Sequence, residues 1–478
     1  MRPSFRNSVA VIALAATLIA GSAMAAHDAP LADAAEKNDR AAVQALLASH
    51  AELNQPQADG MTALHWAVRH DDTEFARQLV AVGADVKLAT RYGITPLALA
   101  CENGNAAIVE LLLTHGADPN TASPGGETPL MTAARTGRVA AVEALIAAGV
   151  PVDATERKGQ TALMWAAAEG NTEVVDALLN AGANYRIQLD SGFTPLFFAV
   201  REGRTACVKR LLAAGDDVNQ VLHSKRSPKS SKATNALLMV VENGHFELAA
   251  ALLDAGADPN AHPHGYSALH AITWVRKPIR GDGDPPPYGS GRLTALDFVR
   301  LLVKHKADIN ARLENGVSGR GLFTTTGSTP FELAAQTGDL PLLELLVKLG
   351  ADPSIPNADR CPPLLAAAGV GALGAGDESA GTEEEAVETV DLLLKLGANI
   401  NAVDDNGETA MHGAAYQSRD KLIQFLAEHG ADARVWNQKN KLGWTPLMIG
   451  QGKRPDNFRF SPETVAAIES VLKGDHAE

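Results

Sequence analysis

Three groups of residues could carry chemistry. Gly369-Val370-Gly371-Ala372-Leu373-Gly374 spells G-x-G-x-x-G, the spacing with which a glycine loop cradles a phosphate. That chemistry needs a strand before the loop and a helix after it. A short helix, Pro363 to Ala368, is expected before it instead, so the stretch reads as a glycine-rich insertion. Gly316-Val317-Ser318-Gly319-Arg320 approaches the turn that exposes a nucleophilic serine, but its fifth residue is Arg320. His262, His264 and His270 invite a metal reading. Two of them would sit on a loop tip, and His270 falls with His65 and His412 at one register of a repeat, which argues for a shared hydrogen-bonding role. H-E-x-x-H and C-x-x-C do not occur, and Asp282 with Asp284 are too few oxygens for a calcium loop. Cys101, Cys207 and Cys361 fall in units too far apart to bridge and are expected to be reduced and packed. No catalytic, cofactor-binding or metal-binding residue is assigned.

The bulk properties narrow the class. The chain has 478 residues, 46% hydrophobic and only 5% aromatic, with mean hydropathy −0.06, so small aliphatic side chains must do the packing. With 42 basic and 56 acidic residues the formal charge is −14, which disfavours a general nucleic-acid binder. Beyond the amino terminus no apolar run reaches the length of a membrane span, and three cysteines cannot build a disulfide scaffold. Residues 1–25 read as a secretory signal. Arg2 and Arg6 are basic, Val9 to Ala20 is uncharged, and Ala23-Met24-Ala25 has the small-x-small form that signal peptidase accepts. The short alanine-rich run has a bacterial, Sec-type form, so the expected location is the periplasm or the medium, with no membrane insertion after cleavage.

The elements that must position any site repeat along the chain. Thr62-Ala63-Leu64-His65 recurs at Thr95-Pro96-Leu97, Thr128-Pro129-Leu130, Thr161-Ala162-Leu163 and Thr194-Pro195-Leu196, each step 33 residues. It continues, less evenly spaced, at Asn235, Ser267, Thr329, Pro362, Thr409 and Thr445. One unit shows the physics. Thr95 is a good N-cap and Pro96 suits the first helical turn, whose missing N–H costs nothing. Gly104 can end the short helix in the left-handed region. A second helix carries Ile108, Val109 and Leu112, and Gly116 ends it before the turn at Asp118-Pro119-Asn120. Helices this short are unstable alone in water, so each unit must bury its apolar face against its neighbours. Ala67, Ala100, Ala133, Ala166 and Ala199 share one register and allow close approach.

These residues resemble the ankyrin repeat, over about Pro30 to Lys473, with eleven starts and a degenerate first unit. The resemblance implies an all-α ankyrin-repeat solenoid of stacked helix-turn-helix units with short β-hairpin fingers and a binding groove lined by fingers and inner helices. On this reading residues 26–60 hold an amino-terminal capping repeat, 61–274 regular repeats, 275–445 repeats with long insertions, and 446–478 a carboxy-terminal capping repeat and tail. The insertions are a basic finger (His223 to Lys232), an inter-helix loop (Lys277 to Arg292) containing Pro285-Pro286-Pro287-Tyr288, a second finger (Arg312 to Ser328) and a glycine-rich loop (Val370 to Glu385).

Two registers should face the groove: the residue before each cap and the residue seven after it. They contain Arg69, Arg135, Phe193, Arg201, Tyr266, Trp274, Tyr416 and Trp444. With Arg91 on a finger, these are the candidate partner-binding residues, since aromatics and arginine dominate interfaces. Trp66 and Trp165 read as packing residues within inner helices. The expected function is a non-enzymatic, monomeric scaffold or accessory protein that binds a protein partner after export, with no nucleic acid and no cofactor. A secreted effector acting on a host protein, or an enzyme built on the insertions, are the competing expectations.

Overall fold

The computed structural model describes residues 29–223, 233–278, 287, 289–316, 324–371, 381–453 and 460–474. The signal-like segment, the basic finger at Lys225 to Lys232, Asp282 and Asp284, most of Pro285 to Tyr288, Ser318 and the last three residues of the G-x-G-x-x-G run lie outside the described residues. The chain divides into two units, Met1–Pro124 and Gly125–Glu478.

In the first unit three helix pairs stack: α1 (Pro30–Glu36) with α2 (Arg40–Ala48), α3 (Ala63–Arg69) with α4 (Thr73–Ala81), and α5 (Pro96–Asn103) with α6 (Ala106–Thr114). The odd-numbered helices pack on one another as an inner row, and α4 packs on α6 in an outer row. Every start but that of α1, which follows Ala29, is capped by a side chain. The side chains of Asp39, Thr62, Asp72, Thr95 and Asn105 accept from the backbone N–H three residues on. Gly104 ends α5 at φ 72°, a conformation that a side chain would strain. Ala67, Ala100, Leu79, Ile108 and Leu112 are fully buried, so these helices of seven to nine residues are held by packing rather than by intrinsic propensity.

The second unit repeats the plan. Its inner helices are α7 (Pro129–Thr136), α9 (Ala162–Glu169), α11 (Pro195–Arg201), α13 (Ala236–Glu242), α15 (Ala268–Arg276), α17 (Pro330–Thr337), α19 (Pro363–Ala368), α21 (Ala410–Tyr416) and α24 (Pro446–Gly450). Their outer partners are α8 (Val139–Ala147), α10 (Thr172–Asn180), α12 (Thr205–Ala213), α14 (Phe246–Asp254), α16 (Ala295–Lys304), α18 (Leu340–Lys348), α20 (Glu383–Lys395), α22 (Asp420–Glu428) and α25 (Pro462–Gly474), with a one-turn α23 (Ala433–Trp436) before the last pair. Ala133, Ala166 and Ala199 are fully buried, as close packing of the inner row requires. The helices α19 and α24 are the shortest of the row. α19 begins at Pro362, whose side chain offers no cap.

The fingers are tighter than the hairpins expected. Among the described residues only β1 (Val221–Leu222) and β2 (Thr234–Asn235) pair as antiparallel strands, Val221 opposite Asn235. Elsewhere the finger is a turn closed by a bond such as Leu189 N–H to Phe193 carbonyl (2.9 Å) or Asp404 N–H to Glu408 carbonyl (3.1 Å). Glycine is required there. A Cβ on Gly192, at φ 92°, would lie 2.5 Å from the His223 carbonyl oxygen.

A second set of contacts runs along the outer ends of the fingers. Asn219 accepts from Asp258 N–H (2.8 Å) and donates to Gly256 carbonyl (3.1 Å). Asn260 likewise serves Asp308 and Lys306, and Asn401 serves Asp432 and Gly430. Each such asparagine ties one repeat to the next. The end of α15 is tied to the starts of α18 and α20. Arg276 forms a bidentate pair with Asp339 (2.8 and 2.9 Å), and Lys277 pairs with Glu385 (2.6 Å).

Candidate partner-binding face

The two registers read from the sequence do more than share a face. The residue before a cap and the residue seven after it touch within the same repeat. Seven residues is close to two helical turns, so the later side chain stands over the cap, and side chains lean toward the helix start. Glu127 thus meets Arg135 (3.8 Å), Phe193 meets Arg201 (5.4 Å from guanidinium to ring centre), Tyr266 meets Trp274 (5.0 Å between ring centres) and Glu408 meets Tyr416 (3.0 Å). The sequence placed six of these eight among candidates in isolation or in register, but their pairing follows only from the helix geometry.

A third position, four after the cap, joins them. Phe198 lies 5.2 Å from the Arg201 guanidinium, and the Thr132 hydroxyl donates to Glu127. Trp66 belongs to this position. It is half-buried rather than a packing residue, stacks on His70 and lies under Arg69 at 5.9 Å, and its indole N–H donates to Gln57 (2.7 Å). Trp165 is also half-buried, and its indole nitrogen has no partner among the described residues. The same register is buried in α11, where Phe198 is 7% exposed, so the exposure of the two tryptophans belongs to their own repeats.

The remaining candidates stand apart. Arg91 sits on the finger of the first unit, exposed, with its guanidinium donating to the Tyr92 hydroxyl (2.6 Å) beside exposed Tyr92 and Ile94. Arg69, Arg135 and Arg201 are exposed, while Phe193, Tyr266, Trp274, Tyr416 and Trp444 are half-buried. The Trp444 carbonyl accepts from His412, and its N–H donates to Asn440.

Toward the carboxy terminus the face closes. Ser328, Gln336, Cys361, Gly369 and Glu408 occupy groove registers yet are buried. Gln336 reaches the Gly371 carbonyl from the next repeat's insertion, and a Cβ on Gly369 would meet the Gly413 carbonyl at 2.7 Å. Small residues here let neighbouring repeats approach until no groove-facing surface is left at these positions. Burial lifts the Glu408 carboxyl to about 7, against bonds from Tyr416 and Asn440 that favour its charge.

The recurring histidines prove to be joints. His65 Nδ1 accepts from the Thr62 N–H (3.3 Å), so its Nε2–H donates to the Ile94 carbonyl of the next finger (3.2 Å). His270 joins Ser267 to the Ser328 carbonyl, and His412 joins Thr409 to the Trp444 carbonyl, in the same way. Burial pushes the latter two down to about 4, so both are neutral at pH 7. Glu332 holds this position in α17. It is 1% exposed, neither carboxyl oxygen has a hydrogen-bond partner within bonding geometry among the described residues, and burial raises it to about 8, beyond the opposing pull of Ser328 and Arg312.

Cys101, Cys207 and Cys361 are buried thiols, and burial pushes Cys101 up to about 12, far from a nucleophile's range. His262 faces Glu314 (3.3 Å) and His264 packs edge-on against Tyr266. Among the described residues no group of three or more His, Cys, Asp or Glu is placed to hold a metal ion, and no helix is long and apolar enough to cross a membrane.

A stack of short capped helix pairs with turn-like fingers defines a class of repeat scaffold, and comparison with known proteins supplies the family. The ankyrin-repeat pattern matches residues 31–123, 130–221 and 380–458 as multiple repeats and 326–358 as a single one. The chain belongs to the ankyrin repeat family, whose repeats serve protein–protein interaction. It is 31% identical over 264 residues to mouse "Ankyrin repeat and SOCS box protein 16", covering 50% of this chain and 52% of that protein. It is 33% identical over 162 residues to mouse "B-cell lymphoma 3 protein homolog", covering 33% and 32%. Human "2-5A-dependent ribonuclease" is 38% identical over 68 residues, 14% of this chain and 9% of that protein. The chain thus spans about half of the first of these relatives and a third of the second.

Proposed function

We propose that the chain is a non-enzymatic accessory scaffold that acts after export and grips one protein partner by its fingers and inner helices. The observation that carries this reading is the row of paired side chains. Arginine and aromatic groups stand exposed or half-buried at positions the packing of the stack does not need, and such groups dominate protein interfaces. The buried, protonated cysteine thiols and neutral bridging histidines support the non-enzymatic half of the proposal, because the nucleophiles and bases that the sequence offers are taken up by the framework.

A photoreactive amino acid placed at Arg69, Arg135 or Trp444, in cells that make the protein, tests it. One discrete adduct from these positions is expected, and none from Glu110 and Glu173 on the outer helices. Equal adducts from both sets would overturn the proposal. Export is tested separately, by finding Ala26 as the first residue of protein recovered outside the cytoplasm. Recovery of full-length protein from the cytoplasm would refute it.

A further inference from the structure

Among the described residues no lysine or arginine stacks on the aromatic pair at the start of α15, whereas α11 carries an arginine at the same register. At α11 the residue before the cap is Phe193 and the residue seven after it is Arg201, whose guanidinium lies 5.4 Å from the Phe193 ring and 5.2 Å from Phe198. At α15 the same two positions are Tyr266 and Trp274. Their rings lie 5.0 Å apart at 80°, and His264 stands 5.8 Å from Tyr266 on its other side, at 84°. Glu242, the equivalent late position of the preceding inner helix, accepts the Tyr266 hydroxyl on Oε1 (2.6 Å). No lysine or arginine pairs with Glu242 among the described residues, and Oε2 has no bond there.

We infer that Tyr266, Trp274 and Glu242 form a seat for a guanidinium group carried by the protein partner. This deepens the proposed function and rests on it. Two half-buried rings at a right angle turn the negative faces of their π systems toward one corner, and a carboxylate closes it, which is the arrangement that attracts a cation. Arginine fits better than lysine, because a planar guanidinium stacks on a ring and donates to a carboxylate at once. The fold supplies a precedent for a guanidinium on aromatic rings: two repeats back along the row Arg201, at the register of Trp274, lies over Phe193 and Phe198. The formal charge of −14 adds a general attraction for a basic partner segment.

The test uses the full chain, labelled with nitrogen-15, and the probe acetyl-Gly-Arg-Gly-amide. The indole N–H signal of Trp274, assigned with Trp274→Phe, should shift saturably. Acetyl-Gly-Leu-Gly-amide should leave it in place, and acetyl-Gly-Lys-Gly-amide should bind more weakly. Glu242→Gln, which keeps an acceptor for Tyr266, should weaken the arginine peptide by about tenfold, the loss of one charge-assisted bond, with an unchanged thermal midpoint. A Trp274 signal that ignores the arginine peptide, moves equally with the leucine or lysine peptide, or shifts unaltered in Glu242→Gln would overturn the assignment. Adducts from Arg69 and Arg135 report the wider interface independently. If they persist while the peptide fails, only the seat is lost.

Discussion

At α15 and α21 the third residue inside the helix is a histidine, and at α17 it is Glu332. The imidazoles of His270 and His412 are long enough to span from their own cap to the next finger, with an acceptor at one end and a donor at the other. The carboxyl of Glu332 is just as buried but makes no hydrogen bond among the described residues. Other repeats fill this position with an apolar side chain such as Met131, Met164 or Phe197, so a polar group here must be neutral and bonded at both ends, and one that titrates the other way becomes a cost. The two sites should respond to pH with opposite slopes. The folded-state values of His270 and His412 lie below the unfolded histidine value, so their contribution is complete above about pH 6.5 and is lost as pH falls toward 4. The folded-state value of Glu332 lies above the ordinary 4.5, so its stabilisation is complete below that value and is lost as pH rises toward 8.

The largest effect that would break this contrast is His270→Ala. It strands the buried Ser267 N–H, removes one of two bonds to the Ser328 carbonyl and empties the imidazole's volume, and is expected to cost about 3 kcal/mol in denaturant unfolding at pH 7. If instead it costs no more than an exposed substitution, the joint has no structural role. Next, Glu332→Gln should remove the alkaline slope, so that its advantage over the natural chain grows by roughly 2–3 kcal/mol between pH 5 and 8. Parallel curves would mean that Glu332 is ionised and satisfied. Glu332→His should rebuild the missing joint to Thr329 and the Cys361 carbonyl and raise stability by about 1 kcal/mol at pH 7, with an imidazole that resists protonation by NMR. The smallest effect separates the two tyrosine–glutamate pairs. Tyr416→Phe, in the closed pair that Asn440 also bonds, should cost about 1 kcal/mol, and Tyr266→Phe, in the open pair, less than half as much. Equal costs would show that the second pair is closed as well.

The framework was legible because it is local. A threonine cap, a proline in the first turn, a glycine at the helix end and a buried alanine are each set by a few neighbouring residues, and their recurrence at 33 residues announces the stack. The two groove registers could be counted off the same period. What could not be counted was the meeting of residues eight apart, Phe193 with Arg201 or Glu408 with Tyr416, because that depends on how far each finger side chain reaches along the helix. Nor could helix length settle exposure: Trp66 in α3 is half-buried, whereas Phe197 and Phe198 are buried in α11, which is also seven residues long. The burial of Ser328, Gln336 and Cys361 depends on how closely successive repeats sit, which small residues and insertions decide together.

The asparagines along the finger ends carry a consequence of their own. Each rung spans one joint between adjacent repeats and depends only on the two repeats it joins. Damage to one repeat should thus stay quarantined. A chain nicked or oxidised at a single finger would lose its grip there, while the repeats on either side keep their shape and continue to hold.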